Sequence, residues 1–171
     1  PEVFDRLFKL VKDTELNAMV IDVKDDTGKL TYRSKIPAAQ EVDAATNRIK
    51  DIKALVKTLD DAGVYTIARI VVFKDPVLSV KRPEWAVRHK NGGIWKDRKG
   101  KSWTNPYLKE VWDYNLDIAE EAAKAGFKEI QFDYVRFPSD GNTNNIVYDP
   151  KPDMTRQETI KSFLAYARER L

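Results

Sequence analysis

The segment KEIQFDYVRFPSD, residues 128–140, has the apolar character of a buried strand, yet it carries Asp133 in its middle and Arg136 near its end. A charge that is buried without a partner is costly, so Asp133 needs either an ionic partner or a function. The segment follows a helical pattern that ends at Ala125-Gly126, where glycine can take the left-handed conformation of a helix C-terminus. A helix, a short turn and an apolar strand form the unit that organises this chain.

The same unit occurs twice before residue 128. Apolar residues at a spacing of three and four predict a first helix over residues 3–11 and a second from Ile49 to Leu59. These helices precede the apolar strands 17–24 and 64–72. The third helix is predicted to begin with Asn105 as its N-cap. A fourth is predicted from Thr155, where Glu158 three residues later completes a capping box.

Apolar strands that alternate with helices predict a parallel sheet, either an open doubly wound sheet or a TIM barrel. No glycine-rich phosphate loop follows any strand, which disfavours a dinucleotide-binding fold. The predicted strand-to-helix connections are residues 25–46, 73–105 and 137–154. They are far longer than the usual length of roughly 2–6 residues. Because TIM-barrel active sites are built from the connections at the carboxyl ends of the strands, we predict an α/β fold that forms part of a (β/α)8 TIM barrel.

A complete barrel takes about 250 residues, whereas this chain has 171. We therefore expect residues 1–171 to form a single partial barrel domain with three strands, the second of them central and the helices outside. Open strand edges and an uncovered apolar face promote association. The chain is accordingly expected to need the remainder of the barrel or to self-associate.

Alternation of side chains along a strand places Asp22 and Lys24 on one face of the first strand. Arg69 on the second strand and Asp133 on the third lie at about the same distance from their strand starts, which predicts an Asp22–Arg69–Asp133 ion cluster. One interpretation is a buried ion network that only stabilises the fold. The other is an active site in which Arg69 keeps Asp133 ionised as a nucleophile or charge stabiliser.

The second long connection holds Trp95 and Trp103 within the basic segment NGGIWKDRKGKSW, residues 91–103. Flat indole rings suit stacking on the apolar face of a sugar, although the same rings can instead pin a long loop to the domain. The predicted substrate-binding residues are Lys24, Trp95, Trp103, Tyr134 and Arg136. Arg136 has a second interpretation, an ion pair with Asp140. The basic loop 81–101 also fits an anionic polymer, but no nucleic-acid motif accompanies it.

The composition excludes several kinds of site. The chain has no cysteine and a single histidine, His89, so disulfides, thiol catalysis and a transition-metal site are not expected. The turns at 25–28 and 139–145 are weak signals for calcium, and no cofactor or metal is predicted. No apolar run reaches the roughly 20 residues of a membrane span. The net charge of +3 is a weak argument for nucleic acid, and we expect no nucleic-acid partner.

Four segments together resemble the bacterial putative glycosyl hydrolase domain family, a set of TIM barrels related to the amylase-like glycoside hydrolases. They are TELNAMVIDVKDDTGKLTY, IARIVVFKDPVLS, GGIWKDRKGKSWTNPYLKEVWDYN and GFKEIQFDYVRFPSD. The resemblance spans essentially the whole chain. It implies that the three strands are the second, third and fourth of the barrel, and that the protein is extracellular or belongs to the cell envelope.

The resemblance also implies roles for residues. In related retaining glycosidases the nucleophile is an aspartate at the end of the fourth strand, the position of Asp133. Amylase-like enzymes carry an arginine two residues earlier, where this chain has Gln131. Chitinase-like enzymes carry a catalytic glutamate two residues later, where this chain has Val135, and this difference disfavours substrate-assisted chemistry.

The predicted function is hydrolysis of a polysaccharide, with Asp133 catalytic and with Arg69 and Asp22 as its electrostatic support. Asp22 shares the arginine, which favours its charged form and makes it a poor proton donor. The donor is therefore expected on the next strand, and the chain alone is expected to be inactive. The alternative is a carbohydrate-binding barrel that has lost catalysis.

Overall fold

The computed structural model describes residues 2–171. In chain order the elements are α1 (Glu2–Asp13), β1 (Ala18–Lys24), β2 (Leu30–Tyr32), α2 (Pro37–Glu41), β3 (Ala45–Ile49), α3 (Ile52–Asp61), β4 (Tyr65–Val71), α4 (Pro76–Lys81), β5 (Arg88–His89), α5 (Lys109–Ala125), β6 (Glu129–Asp133), β7 (Ile146–Val147) and α6 (Arg156–Arg170). Single 3-10 turns lie at Pro83–Trp85 and Thr143–Asn145.

The central sheet has the strand order β3-β2-β1-β4-β6. Its three main strands, β1, β4 and β6, are parallel neighbours, and β4 lies between the other two. This confirms the three predicted strands and their order, although the third ends at Asp133, which the sequence placed in its middle. β2 runs antiparallel to β1 and pairs with it at one position, Lys24 with Leu30, while β3 extends the sheet parallel to β2.

The two faces of the main strands differ in cover. On one face, Ala68 and Ile70 of β4 are fully buried and belong to a core that includes Val56 of α3 and Ile118 of α5. On the other face Val20 is 53% exposed, and no helix of the described residues covers it. This is the arrangement of a TIM barrel, in which helices form the outer ring and the uncovered face lines the interior.

The long connections contain more structure than the sequence indicated. Residues 25–46, predicted as a long strand-to-helix connection, hold β2, α2 and the start of β3. Ile49 is the last residue of β3 and does not belong to the second predicted helix. That helix begins at Ile52, and its N-cap is Asp51, whose side chain accepts a hydrogen bond from the Ala54 amide at 2.9 Å. Strands of two to five residues carry too little periodicity to be recognised from sequence.

The other two connections are tied together. The connection after β4 holds α4 and β5, and the connection after β6 holds β7. β5 and β7 pair antiparallel, with Arg88 opposite Val147 and His89 opposite Ile146. Because of this two-stranded sheet, the loops above β4 and β6 are held against each other.

Helix ends follow the sequence signals in two cases out of three. Thr155 and Glu158 form the predicted capping box of α6, and Gly126 ends α5 with φ 108°. α5, however, begins at Lys109 and not after Asn105. Asn105 instead forms a turn, in which its Oδ1 accepts from the Tyr107 amide at 3.1 Å while its Nδ2 donates to the Pro150 carbonyl at 3.1 Å.

Gly28 marks the closest approach between the turn after β1 and the start of α4. Its φ is 80°, and an added Cβ would overlap Asp75 Oδ1 and lie 2.9 Å from the Val77 amide nitrogen. We expect Gly28→Ala to lower the free energy of unfolding by about 3 kcal/mol or more, because a left-handed backbone and an overpacked contact both oppose it.

Gly100→Ala is the matched control for this prediction. Gly100 has φ 73° but nothing within 4 Å of an added Cβ, so only the backbone strain of about 1–2 kcal/mol applies. Urea unfolding of both variants measures the difference. Equal losses in the two variants would show that the contact with Asp75 contributes nothing.

Candidate active site

Arg69 joins two carboxylates on the uncovered face of the sheet. Its Nη1 donates to Asp22 Oδ1 at 2.7 Å, and its Nη2 and Nε donate to Asp133 Oδ2 at 2.6 and 2.9 Å. The three predicted residues are therefore brought together. They are not all at the same height, because Arg69 pairs with Asp22 and Gln131 while Asp133 lies opposite Val71. The arginine reaches along the sheet to contact Asp133.

Asp133 is the more strongly held of the two carboxylates. Besides Arg69, its Oδ1 accepts a hydrogen bond from the Tyr134 amide at 2.6 Å, and Tyr134 adopts the left-handed conformation with φ 51°. A left-handed conformation is uncommon for a residue other than glycine and is found preferentially at functional sites. The strand thus ends in a turn that aims a backbone N–H at the carboxylate.

The environment keeps Asp133 ionised. Partial burial by itself raises the pKa of Asp133, but hydrogen bonds from Arg69 and the Tyr134 amide, with the charges of Arg69 and Arg136, hold that pKa below its usual 3.8. Because the pKa is lowered by folding, this carboxylate stabilises the folded state fully at a pH above the pKa of an ordinary aspartate. The stabilisation is lost as the pH falls through the lowered pKa of the folded state. At neutral pH Asp133 is a carboxylate, as a nucleophile or charge stabiliser must be.

The ion cluster is open to its surroundings in the part of the chain that the structure describes. The side chains of Asp22 and Asp133 are 48% and 44% exposed, and that of Arg69 is 24% exposed. These side chains face the side of the sheet that lines the interior in a TIM barrel.

Lys24 does not belong to this face, so its assignment to substrate binding is wrong. The pairing of β1 with β4 shifts between Asp22 and Lys24, since Asp22 pairs with Arg69 and Lys24 with the next residue, Ile70. This β-bulge adds one residue to β1 and turns Lys24 to the helical side. There its fully buried Nζ lies 2.6 Å from Asp75 Oδ2 and donates to Asn115 Oδ1 at 2.8 Å.

Trp95 and Trp103 are also not available to a ligand in this structure. Their side chains belong to a core cluster, with Trp95 1% and Trp103 0% exposed. The Trp95 Nε1 donates to the Asn142 carbonyl and the Trp103 Nε1 donates to Asp97 Oδ2, each at 3.0 Å. The predicted stacking on sugar is therefore wrong, and the alternative interpretation, that they pin the long loop, describes their contacts.

Tyr134 and Arg136 remain at the end of β6, beside the ion cluster. The Arg136 guanidinium carbon lies 5.2 Å from the centre of the Tyr134 ring and 5.0 Å from that of Trp103. Arg136 Nη1 donates to Ser139 Oγ at 2.7 Å, whereas the alternative pair with Asp140 does not form. The assignment of Tyr134 and Arg136 to substrate binding stays a prediction.

Sequence reasoning missed Lys74, which lies close to both Asp26 and Tyr134, and it missed Asp26 itself. Lys74 follows the end of β4 by three residues, and its Nζ is 3.7 Å from Asp26 Oδ2 and 4.9 Å from the centre of the Tyr134 ring. Each of these three side chains comes from the carboxyl end of a different parallel strand. Their position after the strand ends is the signal that could have identified them, because TIM-barrel sites are assembled there.

None of the three residues of the ion cluster lines either of two larger cavities. One of about 860 Å³ lies between residues 143–158 and Tyr107, and a groove of about 620 Å³ between α6 and residues 135–137 has Arg136 on its border. Residues 2–171 contain no group of three or more His, Cys, Asp or Glu side chains that could hold a metal ion. No helix in this part of the chain is long and apolar enough to cross a membrane.

Three known proteins show similarity to this chain. A crystal structure of a hypothetical protein from Ruminiclostridium thermocellum ATCC 27405 is 43% identical, with a TM-score of 0.92 over 99% of this chain and 86% of that one. The α-galactosidase TtGalA from Thermus thermophilus is 15% identical, with a TM-score of 0.66 over 99% of this chain and 32% of that one. The exosome complex component Rrp4 from Saccharolobus solfataricus is 34% identical over 84 residues, 47% of this chain and 30% of that protein.

The comparisons establish the fold and the family. This chain spans less than a third of Rrp4 and of the galactosidase, and the likeness to the galactosidase is one of fold. The three parallel strands and their helices thus correspond to part of a TIM barrel of the kind found in glycosidases. Residues 1–171 all match the family described as "Putative glycosyl hydrolase domain", and the chain belongs to that family.

Proposed function

We propose that this chain is part of a glycoside hydrolase that cleaves a polysaccharide and that Asp133 is its catalytic carboxylate. The observation that carries the proposal is the pairing of Arg69 with Asp133 at the carboxyl end of β6, on the uncovered face of the sheet. A glycosidase needs one ionised carboxylate that faces an oxocarbenium-like transition state. The Asp133 side chain is held charged and yet is 44% exposed, which suits this role.

The hydrogen bonds of Asp133 position the carboxylate without using up its acceptor capacity. A carboxylate has about four lone-pair sites on its two oxygens, and Asp133 accepts three hydrogen bonds, from Arg69 Nε, Arg69 Nη2 and the Tyr134 amide. A lone pair is left for attack on the anomeric carbon or for close approach to its developing positive charge. Arg69 and Asp22 act through Asp133 as its electrostatic support.

The proton donor is proposed to come from a part of the barrel outside residues 2–171. Asp22 accepts a hydrogen bond from the same guanidinium as Asp133 and is assigned to the support of that carboxylate. TIM-barrel sites combine residues from several strand ends. The donor is expected about 5–5.5 Å from Asp133 in a retaining enzyme, or about 6.5–9.5 Å in an inverting one.

A carbohydrate-binding barrel without catalysis is the alternative function, and the burial of the two tryptophans removes its main support. That alternative relied on Trp95 and Trp103 as exposed stacking surfaces, whereas both rings are enclosed in the core. The location of the protein outside the cell or in its envelope, expected from the family resemblance, stays a prediction.

Release of new reducing ends tests the proposed function. We expect the full-length protein, incubated with a panel of purified polysaccharides, to release reducing sugar from at least one of them in proportion to enzyme and time. Proton NMR of the first product gives the anomeric configuration and so separates retention from inversion. A protein that binds a glycan by calorimetry but releases no reducing ends from any member of the panel would support the binding barrel instead.

A further inference from the structure

Lys74 is a buried cation whose hydrogen-bonding capacity is unused by the protein. The residue is 5% exposed, and none of residues 2–171 accepts a hydrogen bond from its Nζ. Its nearest charged contact, Asp26 Oδ2 at 3.7 Å, exceeds the roughly 2.7–2.9 Å of a charge-assisted hydrogen bond. An ammonium buried in this way is costly unless a partner approaches it. Its Nζ is not among the fully enclosed atoms that lack a partner, so part of its surface is open.

Arg136 provides a second cation against the same aromatic ring. Its guanidinium carbon and the Lys74 Nζ lie 5.2 and 4.9 Å from the centre of the Tyr134 ring. The hydrogen bonds of its side chain go to Ser139 Oγ and the Phe137 carbonyl, both from Nη1. Across the described chain no carboxylate forms a salt bridge with it, so Nε and Nη2 can donate to a bound group.

Two acidic side chains lie near Lys74, and neither accepts a hydrogen bond from it. Asp97 is near enough for its charge to interact with that of Lys74, while its oxygens accept hydrogen bonds from the Trp103 indole and from the Lys99 and Lys101 amides. Asp26 has a side chain that is 54% exposed. The groove beside Arg136 is lined by two further cations, Arg156 and Lys161, and by no carboxylate. Lys74 and Arg136 thus keep unused donor groups around the Tyr134 ring, and further cations line the groove that Arg136 borders.

We propose that Lys74 and Arg136 bind a negatively charged substituent, a carboxylate or a sulfate, on the glycan that Asp133 acts on. The inference rests on the proposed function and specifies its substrate class as an acidic polysaccharide. The planar fork of Arg136 suits two parallel hydrogen bonds to such a group, and Lys74 adds a point charge. Asp26 competes with the ligand for Lys74 and limits the affinity.

Matched pairs of glycans test the inference independently of hydrolysis. Binding is measured by calorimetry on full-length Asp133→Asn protein with oligogalacturonates and with the same oligomers after reduction of their carboxyl groups. A sulfated galactan oligomer and its desulfated form make the second pair, which separates sulfate from carboxylate recognition. We expect the charged member of at least one pair to bind roughly 10- to 100-fold more tightly, since charged hydrogen bonds contribute about this much.

Three substitutions connect that preference to the named residues. Adding Lys74→Met and Arg136→Gln together should reduce the preference roughly 10- to 100-fold. Asp26→Asn should have the opposite effect and strengthen binding of the charged glycan, because the carboxylate that competes for Lys74 is replaced by a neutral amide. A role of Lys74 in folding alone predicts neither change in the ratio.

Lys53→Gln with Lys57→Gln on α3 is the control that removes the same net charge elsewhere. An equal fall of the preference in this control would show that the overall charge of the protein, and not Lys74 and Arg136, is responsible. The inference is overturned if neither charged glycan binds more tightly than its neutral partner. Hydrolysis of glycans without any charge preference contradicts this inference alone, whereas charge-selective binding without hydrolysis by the parent contradicts the proposed function alone.

Discussion

Asp133→Asn in the full-length protein is expected to lower turnover of a cleaved polysaccharide by about four to six powers of ten, with little change in glycan affinity. The amide keeps the shape of the side chain but removes the negative charge that faces the transition state. An interaction that is made only in the transition state is lost from the turnover number and not from ground-state binding. Initial rates of reducing-sugar release and calorimetric binding, measured on the same sample, check both parts.

Asp22→Asn is the matched control for this result. Asp22 contacts the same arginine, at 2.7 Å against 2.6 Å for Asp133, and the exposed fractions of the two side chains are close. Each substitution removes one negative charge from the cluster, so a purely structural ion cluster predicts similar effects of both. We expect the loss of turnover in Asp22→Asn to be smaller by at least two powers of ten. A folded Asp133→Asn protein with parental turnover would falsify the assignment of Asp133.

The parts of the fold that the sequence made predictable are those with long, regular patterns. β1, β4 and β6 are preceded by amphipathic helices, and the glycines after α3 and α5 mark where those helices end. β2 and β3 have three and five residues and lie in a connection that has no helical period. Their pairing depends on contacts between residues that are distant along the chain. Local sequence signals therefore could not place them.

The candidate site was predictable only as far as strand alternation holds. The Asp22–Arg69–Asp133 cluster follows from alternation because β1 and β4 stay in regular register up to Asp22 and Arg69. Lys24 lies just after the β-bulge, where one extra residue moves the side chain to the other face. The prediction for the tryptophans is wrong for a different reason. Whether an indole in a polar loop is exposed depends on how that loop folds back, and here both indoles lie in a core cluster.

Among the substitutions considered, replacement of Lys24, which the β-bulge turns to the helical side, has the largest expected effect on stability. Its Nζ lies 2.6 Å from Asp75 Oδ2, and the side chains of both residues are completely buried. Burial by itself lowers the pKa of Lys24, and the charge of Asp75 opposes that change. Lys24→Met leaves Asp75 as a buried carboxylate without a cation. We expect the free energy of unfolding to fall by about 3–5 kcal/mol, the loss typical when one partner of a buried pair is removed.

A second substitution separates the charge from the packing. Asp75 Oδ1 also accepts a hydrogen bond from the Leu78 amide at the start of α4, and an asparagine retains this acceptor. Adding Asp75→Asn to Lys24→Met removes the uncompensated charge and keeps the cap. The double variant should therefore be more stable than Lys24→Met by about 2 kcal/mol or more. Urea unfolding of the parent, both single variants and the double variant gives the coupling energy.

Lys74→Met is the control that distinguishes loss of a partner from loss of a lysine. Lys74 is also buried, but Asp26, its carboxylate contact, is 3.7 Å away with a side chain that is 54% exposed. Water can solvate Asp26 once Lys74 is replaced, so no buried charge is left behind and the free energy of unfolding should fall by no more than about 1 kcal/mol. The loss of stability thus depends on whether the carboxylate partner is enclosed, more than on whether the lysine is buried. Equal destabilisation by Lys24→Met and Lys74→Met would contradict this explanation.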